Sequence, residues 1–275
     1  MSQIKISIII PTYKPQAYIY ECLNALKNQT FPKEQYEIII VLNGCCSPWK
    51  EELETFINEQ MSECNVVFRQ TDTGGVSNAR NIALSLATGE YITFLDDDDY
   101  YSESTLSSAY AKADGESVII FKPIAFKDNT REEMPYDRTD EFNRNSAKGK
   151  VPFYKVRKNF GVPWMKFFPM SVLEGRKFNT KFKNGEDALF MFLISDRMKN
   201  VVFASDDAIY YRRVRENSAC TAHQPFSYMF KNSLGMSMEY TRIFFSRLGK
   251  YRFSFYVTRI LGSIKMMIMY RKLTY

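Results

Sequence analysis

The first half of the chain alternates between two hydrophobic periods. Residues 5–10, 36–42 and 91–95 are short apolar runs, the pattern of strands covered on both faces; residues 65–70 are strand-like, and residues 117–126 read as one longer strand. Between them, residues 16–29, 49–61, 76–87 and 102–113 place their apolar positions at helical spacing, with Pro11 ending the first strand. Strands and helices in this alternation predict an α/β fold built on a parallel sheet with helices on both sides.

The pattern lapses over residues 127–150, where polar and charged side chains predict a mobile loop or insertion of the kind that acts as a lid. Order returns over residues 162–173, in a helix near 186–197, and in strands around 201–204 and 208–214. No internal repeat is present. Beyond Pro225 the chain reads as helical to its end, which divides it into an α/β unit of residues 1–224 and a helical extension of residues 225–275. Within the extension Phe253, Tyr256, Val257, Ile260, Leu261, Ile264, Met267 and Ile268 fall on one helical face, and Arg252, Arg259 and Lys265 fall off it.

Composition adds a division of charge. With 45% hydrophobic and 25% charged residues among 275, the chain can bury a core, which excludes disordered and low-complexity classes. The net charge is +6, yet residues 240–275 hold eight of the 37 Lys and Arg and no Asp or Glu, so the remainder is slightly acidic. A basic amphipathic end suits an anionic bilayer surface, or else a helix that packs on its own domain or on a dimer partner; the bilayer is favoured. No nucleic-acid-binding module is recognisable, so nucleic acid is not an expected partner. Five cysteines without a C-x-x-C pair suggest neither a disulfide framework nor a zinc site and fit a reducing compartment. The sequence suggests no signal peptide and no spanning helix, because Arg259 and Lys265 interrupt the best apolar stretch.

Candidate chemistry centres on Asp96, Asp97, Asp98 and Asp99, directly after the strand at 91–95. An acidic run usually solvates a loop or charges the start of a helix. Here, however, it lies beyond the carboxyl end of a parallel strand, where ligands bind, and four carboxylates there repel one another unless a cation neutralises them. Oxygen ligands favour Mg²⁺ or Mn²⁺, ions that bridge one or two carboxylates to phosphates. Neither the dinucleotide fingerprint nor the phosphate-loop motif occurs. Pro11, Thr12 and Tyr13 follow the first strand and Asn43 follows the second, where a ring and an amide could stack on and hydrogen-bond a base. Glu186 and Asp187 open an apolar helix, either as favourable first-turn acidity or as a proton acceptor. Arg213 lies in a run of three arginines that could clamp a diphosphate or simply be solvated.

Taken in order, Ile8 to Tyr13, Glu37 to Val41, Thr73 to Asn81 and Gly89 to Asp99 resemble the successive motifs of family 2 glycosyltransferases, and Tyr210 to Ser218 closes the resemblance. It implies a GT-A type, Rossmann-like, mostly parallel sheet flanked by helices. It also implies metal-dependent, inverting transfer of a sugar from a nucleotide diphosphate, most often a UDP-sugar. By the same resemblance Asp98 holds Mn²⁺ or Mg²⁺, Asp96 meets the ribose or donor sugar and joins the metal site, and Asp97 assists. Thr12 and Tyr13 flank the base, Arg80 lies near the nucleotide, and Asp187 is the base that activates the acceptor. Trp164 and Lys166 match an acceptor-side segment, and His223 is placed to complete the metal shell. One departure is Asn43, where many members carry an acid that reads uracil; its amide oxygen can still accept, or it marks a different base. The acceptor is expected to be a growing or lipid-linked glycan at the inner face of a bacterial membrane, in surface polysaccharide or lipopolysaccharide assembly. A sugar nucleotidyltransferase, for which Lys14 speaks, and a catalytically silent subunit of a membrane assembly are the competing readings; oligomeric state is left open.

Overall fold

The computed structural model describes residues 3–215 and 225–273. Its first half is β1 (Ile6–Thr12), α1 (Tyr18–Lys27), β2 (Tyr36–Asn43), α2 (Trp49–Gln60), β3 (Asn65–Thr71), α3 (Val76–Leu86), β4 (Tyr91–Phe94), β5 (Tyr100–Tyr101) and α4 (Thr105–Tyr110). Then come β6 (Val118–Ile120), β7 (Lys122–Lys127), β8 (Glu133–Met134), α5 (Asp137–Asn145), β9 (Val151–Pro152), β10 (Lys166–Pro169) and α6 (Met170–Leu173). The last elements are α7 (Glu186–Ile194), β11 (Asn200–Phe203), β12 (Ile209–Val214), α8 (Phe226–Ser246) and α9 (Phe253–Leu273).

The main sheet runs β3-β2-β1-β4-β10-β6-β11-β9. Its first four strands are parallel, as the alternation predicts, and every residue of β1 and β2 is buried. Beyond β4 the sheet departs from the expectation, because β10 enters antiparallel to both β4 and β6. Helix α1 turns Ile19, Cys22, Leu23 and Leu26 inward, one stripe at i, i+3, i+4 and i+7. In α3 the small Ala79 and Ala83 let the helix lie close to β1 and β2 and carry Arg80 to the strand ends.

Three sequence expectations change. Pro11 does not end the first strand: β1 continues to Thr12, with Pro11 opposite Val41. Pairing of β1 with β4 has already stopped at Ile9, so the missing proline N–H is tolerated there. The single strand expected over residues 117–126 is two strands in different sheets. At Phe121 the backbone N–H turns to the carbonyl of Met165, and β7 goes on to a second sheet of order β5-β12-β7-β8. Residues 127–150 are not a structureless loop, since β8 pairs with β7 and α5 follows. Helix α5 has few apolar residues, but Phe142 is fully buried against Phe203, and Thr139 Oγ1 donates to the Pro123 carbonyl.

Helices α8 and α9 pack together, with Phe244 stacked on Tyr256 and Thr241 Oγ1 2.9 Å from the Tyr256 hydroxyl. Both also rest on the body. Tyr240 meets Phe192 of α7, and Phe255 fills a slot between Phe153 and Phe192. That slot fixes the rotation of α9 and shifts the face expected from its sequence: Phe255 and Ser263 are buried and Arg259 bonds the Phe160 carbonyl, while Tyr256 and Ile260 of the expected face also pack on the core. Phe253, Leu261 and Ile264 remain 66%, 58% and 40% exposed. Among the described residues no helix is long and apolar enough to cross a membrane.

Candidate active site

The carboxyl ends of the first four parallel strands bring together segments that are far apart in sequence. Thr12 ends β1, Asn43 ends β2, the four aspartates follow β4, and α7 begins with Glu186. Asn43 ties the ends of β1 and β2 to the loop before α3: its amide donates to the Thr12 carbonyl at 2.7 Å, and its Oδ1 accepts the Gly75 N–H at 2.8 Å. Gly44, at φ 67°, sits so close to the next loop that a Cβ would lie 2.9 Å from the Gly74 Cα. Asn43 is therefore buried and already engaged, and a base would have to use the second lone pair of its oxygen. Tyr13, in contrast, is 54% exposed, with the Lys14 ammonium 5.4 Å from its ring centre.

Arg80 is the hub. Only 3% exposed, it reaches Asp96 with Nη2 at 2.9 Å and Asp187 with Nη1 at 2.6 Å, joining the two acidic clusters through one guanidinium. Burial works against its charge, but the carboxylates of Asp187 and Asp96 more than offset this and hold it protonated. The opening of α7 depends on Gly185, whose φ of 85° is left-handed and turns the chain so that the first turn faces Arg80.

The remaining aspartates each have a partner. Thr12 Oγ1 donates to Asp97 Oδ2 at 2.5 Å, Arg215 pairs with Asp98 Oδ2 at 2.5 Å, and Asp99 accepts from the Tyr210 hydroxyl and the Arg213 N–H. Burial, opposed by Thr12 and reinforced by Asp98 and Asp96, pushes Asp97 up to about 7. Burial and Asp96 raise Asp98 in spite of Arg215. Glu186 is pushed up to about 7 by burial and by the charge of Asp187, while Asp187 is raised by burial against the pull of Arg80. The site thus stores mutual repulsion among carboxylates that a cation would relieve.

Among the described residues no group of three or more His, Cys, Asp or Glu is set to hold a metal ion. That is compatible with Mg²⁺ or Mn²⁺ chemistry, in which one or two carboxylates and the substrate's phosphates share the ion. Asp98 and Asp96 have the oxygen donors for it. His223 lies outside the described residues.

Two expectations for site residues change. Arg213 is not a clamp facing the cleft: its Nε bonds the Asp98 carbonyl, Nη1 the Asp128 carboxylate and Nη2 Glu21, and its side chain is 3% exposed. Every nitrogen of the guanidinium is engaged inside the protein. Arg215, just beyond β12, is the arginine of this run whose guanidinium pairs with the Asp98 carboxylate. Pro11 lies within the sheet, buried.

Beside the aspartates a cavity of about 680 Å³ is lined by Asp96 and Asp187, by Trp164 and Arg212, and by Asp137, Arg138, Glu141 and Arg144 of α5. Trp164 stacks on Tyr210 at 5.0 Å, with Arg138 and Arg212 at 5.4 and 5.8 Å from its ring centre. Lys166 does not reach the cavity: it is fully buried, Nζ donates to the carbonyls of Val162 and Trp164, and burial holds its pKa well down. The sequence does not point to Arg138 as a site residue, and it marks Arg212 and Arg215 only as members of the run that holds Arg213. Period-two alternation in β12 separates Arg212 from Arg213, but no local signal says which face meets the cleft.

Residues 7–176 match the sequence profile of "Glycosyl transferase family 2". The poly(ribitol-phosphate) beta-N-acetylglucosaminyltransferase TarS of Staphylococcus aureus is 29% identical over 214 residues, covering 77% of this chain and 36% of that protein. The minor teichoic acid biosynthesis protein GgaB of Bacillus subtilis is 31% identical over 220 residues, covering 78% of this chain and 23% of that protein. The chain thus spans well under half the length of these relatives, 36% of one and 23% of the other. The crystal structure of S. aureus TarS 1–349 in complex with UDP-GlcNAc superposes with a TM-score of 0.72 at 25% identity, over 96% of this chain and 72% of that one.

Proposed function

The chain belongs to glycosyltransferase family 2 and has the GT-A fold, and from that premise we propose that it transfers a sugar, with inversion, from a nucleoside diphosphate donor to a hydroxyl of a surface glycan. The observation that carries this reading is the Arg80 bridge, which sets Asp96 and Asp187 at either side of one cleft.

Displacement at an anomeric carbon needs a carboxylate that takes the acceptor's proton and, across the carbon, something to offset the charge of the leaving diphosphate. Asp187 is the first of these: it borders the cavity where an acceptor enters, and Arg80 fixes one of its oxygens while the other remains for the incoming hydroxyl. Asp98, with Asp96, would hold Mn²⁺ or Mg²⁺, which offsets the diphosphate's charge when bound. Arg215, already on Asp98, is placed to meet the diphosphate, and Tyr13 to stack on the base. A UDP-sugar donor is supported by the TarS structure solved with UDP-GlcNAc, and a surface-glycan acceptor by the names of TarS and GgaB. Residues 1–224 form the catalytic unit. The basic helices of residues 225–275 rest the enzyme on the inner face of the cell membrane through Phe253, Leu261 and Ile264.

A thermal-shift panel of nucleotide sugars in Mn²⁺ tests the donor. A ligand at a hundred times its Kd stabilises the fold by about 2.7 kcal/mol, which for a chain of this size is a rise of several degrees. The matching donor should then release its nucleotide when acceptor is added. No shift with any nucleotide sugar would refute the proposal.

A further inference from the structure

Apart from Tyr13, every large apolar side chain that stands exposed among the described residues lies on α8, on α9 or in the turn between them. A protein surface usually scatters such groups singly, and their gathering in one place marks a contact. On α8, Phe226, Phe230, Leu234 and Met238 recur every fourth residue and Phe245 follows two turns on, so one outward stripe runs along most of the helix. Lys231 and Arg242 flank it, and Arg247, Lys250 and Arg252 stand exposed at its end. Arg242 pairs with Glu239, and Arg247 with Asp196.

The inner face of the same helix seats the turn before α7. Asn232 Nδ2 donates to the Asn184 carbonyl at 3.0 Å, and Asn184 Nδ2 donates to the Tyr228 hydroxyl at 3.3 Å. A Cβ on Gly185 would lie 3.1 Å from the Met236 methyl, and one on Gly235 would lie 3.1 Å from the Phe182 ring. Residues 182–185 are thus fitted closely to α8, and the next two residues are Glu186 and Asp187.

Charge decides what covers the outer stripe. A second copy docking by the same face would set its cations against these, because residues 240–275 hold no Asp or Glu to receive them. An anionic bilayer suits both kinds of group: the apolar side chains enter the acyl boundary, and lysine and arginine meet the headgroups. Resting on the reading of Asp187 as the base, we propose that the outer face of α8 lies in the interface of an anionic bilayer, extending the contact of α9, and that this contact steadies the turn that carries Asp187. Away from a bilayer, the described contacts of α8 hold it from its inner side. On a bilayer the helix is held from both sides, and the turn fitted to it loses freedom with it.

Vesicles replace both substrates in the test, which separates it from the transfer reaction. The full chain is mixed with vesicles of equal phosphatidylglycerol and phosphatidylcholine, or of phosphatidylcholine alone. Binding is read by co-sedimentation and backbone order by hydrogen–deuterium exchange. Affinity for the anionic vesicles should be at least about tenfold higher and should fall as salt rises. On them, amide exchange over residues 182–189 should slow by about tenfold or more. The exposed substitutions Phe230→Gln, Leu234→Gln and Met238→Gln together should weaken vesicle binding by at least about tenfold and leave exchange of the free protein as it was. Asn232→Ala, which removes the bond to the Asn184 carbonyl, should still bind vesicles but lose the slowing at residues 182–189. Vesicle binding without slower exchange there would overturn the coupling. Unaltered vesicle binding by the triple variant, or a dimer that this variant dissociates, would overturn the assignment of the face. If Asp187→Asn transfers normally while both vesicle effects hold, the base assignment fails and the contact of α8 stands.

Discussion

The two sides of the cleft treat charge in opposite ways. On the side of β4 each of the four aspartates is held by a partner from another element: Asp96 by Arg80, Asp97 by Thr12, Asp98 by Arg215, and Asp99 by Tyr210 and the Arg213 backbone. On the side of α5, Arg138 and Arg212 gather on an indole. The acids are built into the folded structure, so altering them disturbs geometry as well as charge. The cations are half-buried against Trp164, with Arg212 also against Tyr136, so altering them disturbs aromatic packing rather than a carboxylate network. Mutations can break this contrast or sharpen it.

The largest effect is expected from Arg80→Ala. It leaves Asp96 and Asp187 facing each other without the bridge, and breaking a buried pair on one side costs about 3–5 kcal/mol. Thermal denaturation should show a fall of several degrees or more, with donor binding and transfer lost together. A variant of wild-type stability would mean that the acids do not depend on the bridge. Next is Asp98→Ala, for which Mn²⁺-dependent nucleotide binding should weaken by more than about tenfold while the fold survives. Equal affinity with and without Mn²⁺ in the wild type would remove the metal assignment.

A smaller change should come from Glu186→Gln. Glu186 and Asp187 are both raised by burial, and the charge of Asp187 adds to the rise of Glu186; repulsion between two neighbouring carboxylates acts on both. The base must be deprotonated, so transfer should rise with pH through the raised range of the pair. Removing the neighbouring negative charge lowers the pKa of Asp187 and moves that rising limb to lower pH. A limb that stays in place, or moves upward, would show that the two carboxyls do not interact as the geometry suggests. The least effect on the cleft belongs to its most distant surface: replacing Phe253, Leu261 and Ile264 by Ser should reduce binding to anionic vesicles and leave nucleotide-sugar binding as it was. Vesicle binding that survives would place the membrane contact elsewhere.

The parts that were legible in the sequence are those where one local rule decides. Buried parallel strands read as apolar runs, and so β1, β2 and β4 are found nearly to the residue. The acidic run after β4 announces a site because its position, not its composition, is unusual. What stayed hidden depends on contacts between distant segments. The switch from β6 to β7 occurs at Phe121, as apolar as its neighbours, and only the Met165 carbonyl marks it. Helix α5 is held chiefly by Phe142 in an otherwise charged segment, so its hydrophobic pattern is too sparse to read. Of three arginines within four residues, the burial of Arg213 against Glu21 and Asp128 sends it away from the cleft, and neither partner is near it in sequence. The inward face of α9 follows from the slot that Phe255 fills, which exists only once α7 and the helical turns at residues 153–161 have packed.

Whether Arg80 holds apart two acids that serve opposite ends of one displacement can be read by measuring nucleotide-sugar affinity and single-turnover transfer together in wild type and Asp187→Asn. The asparagine keeps the shape of the site and removes the proton acceptor. The expected result is unaltered donor affinity with transfer reduced by about a hundredfold or more. Transfer at the wild-type rate, or donor binding lost in parallel with it, would contradict the division of roles between Asp187 and the aspartates after β4.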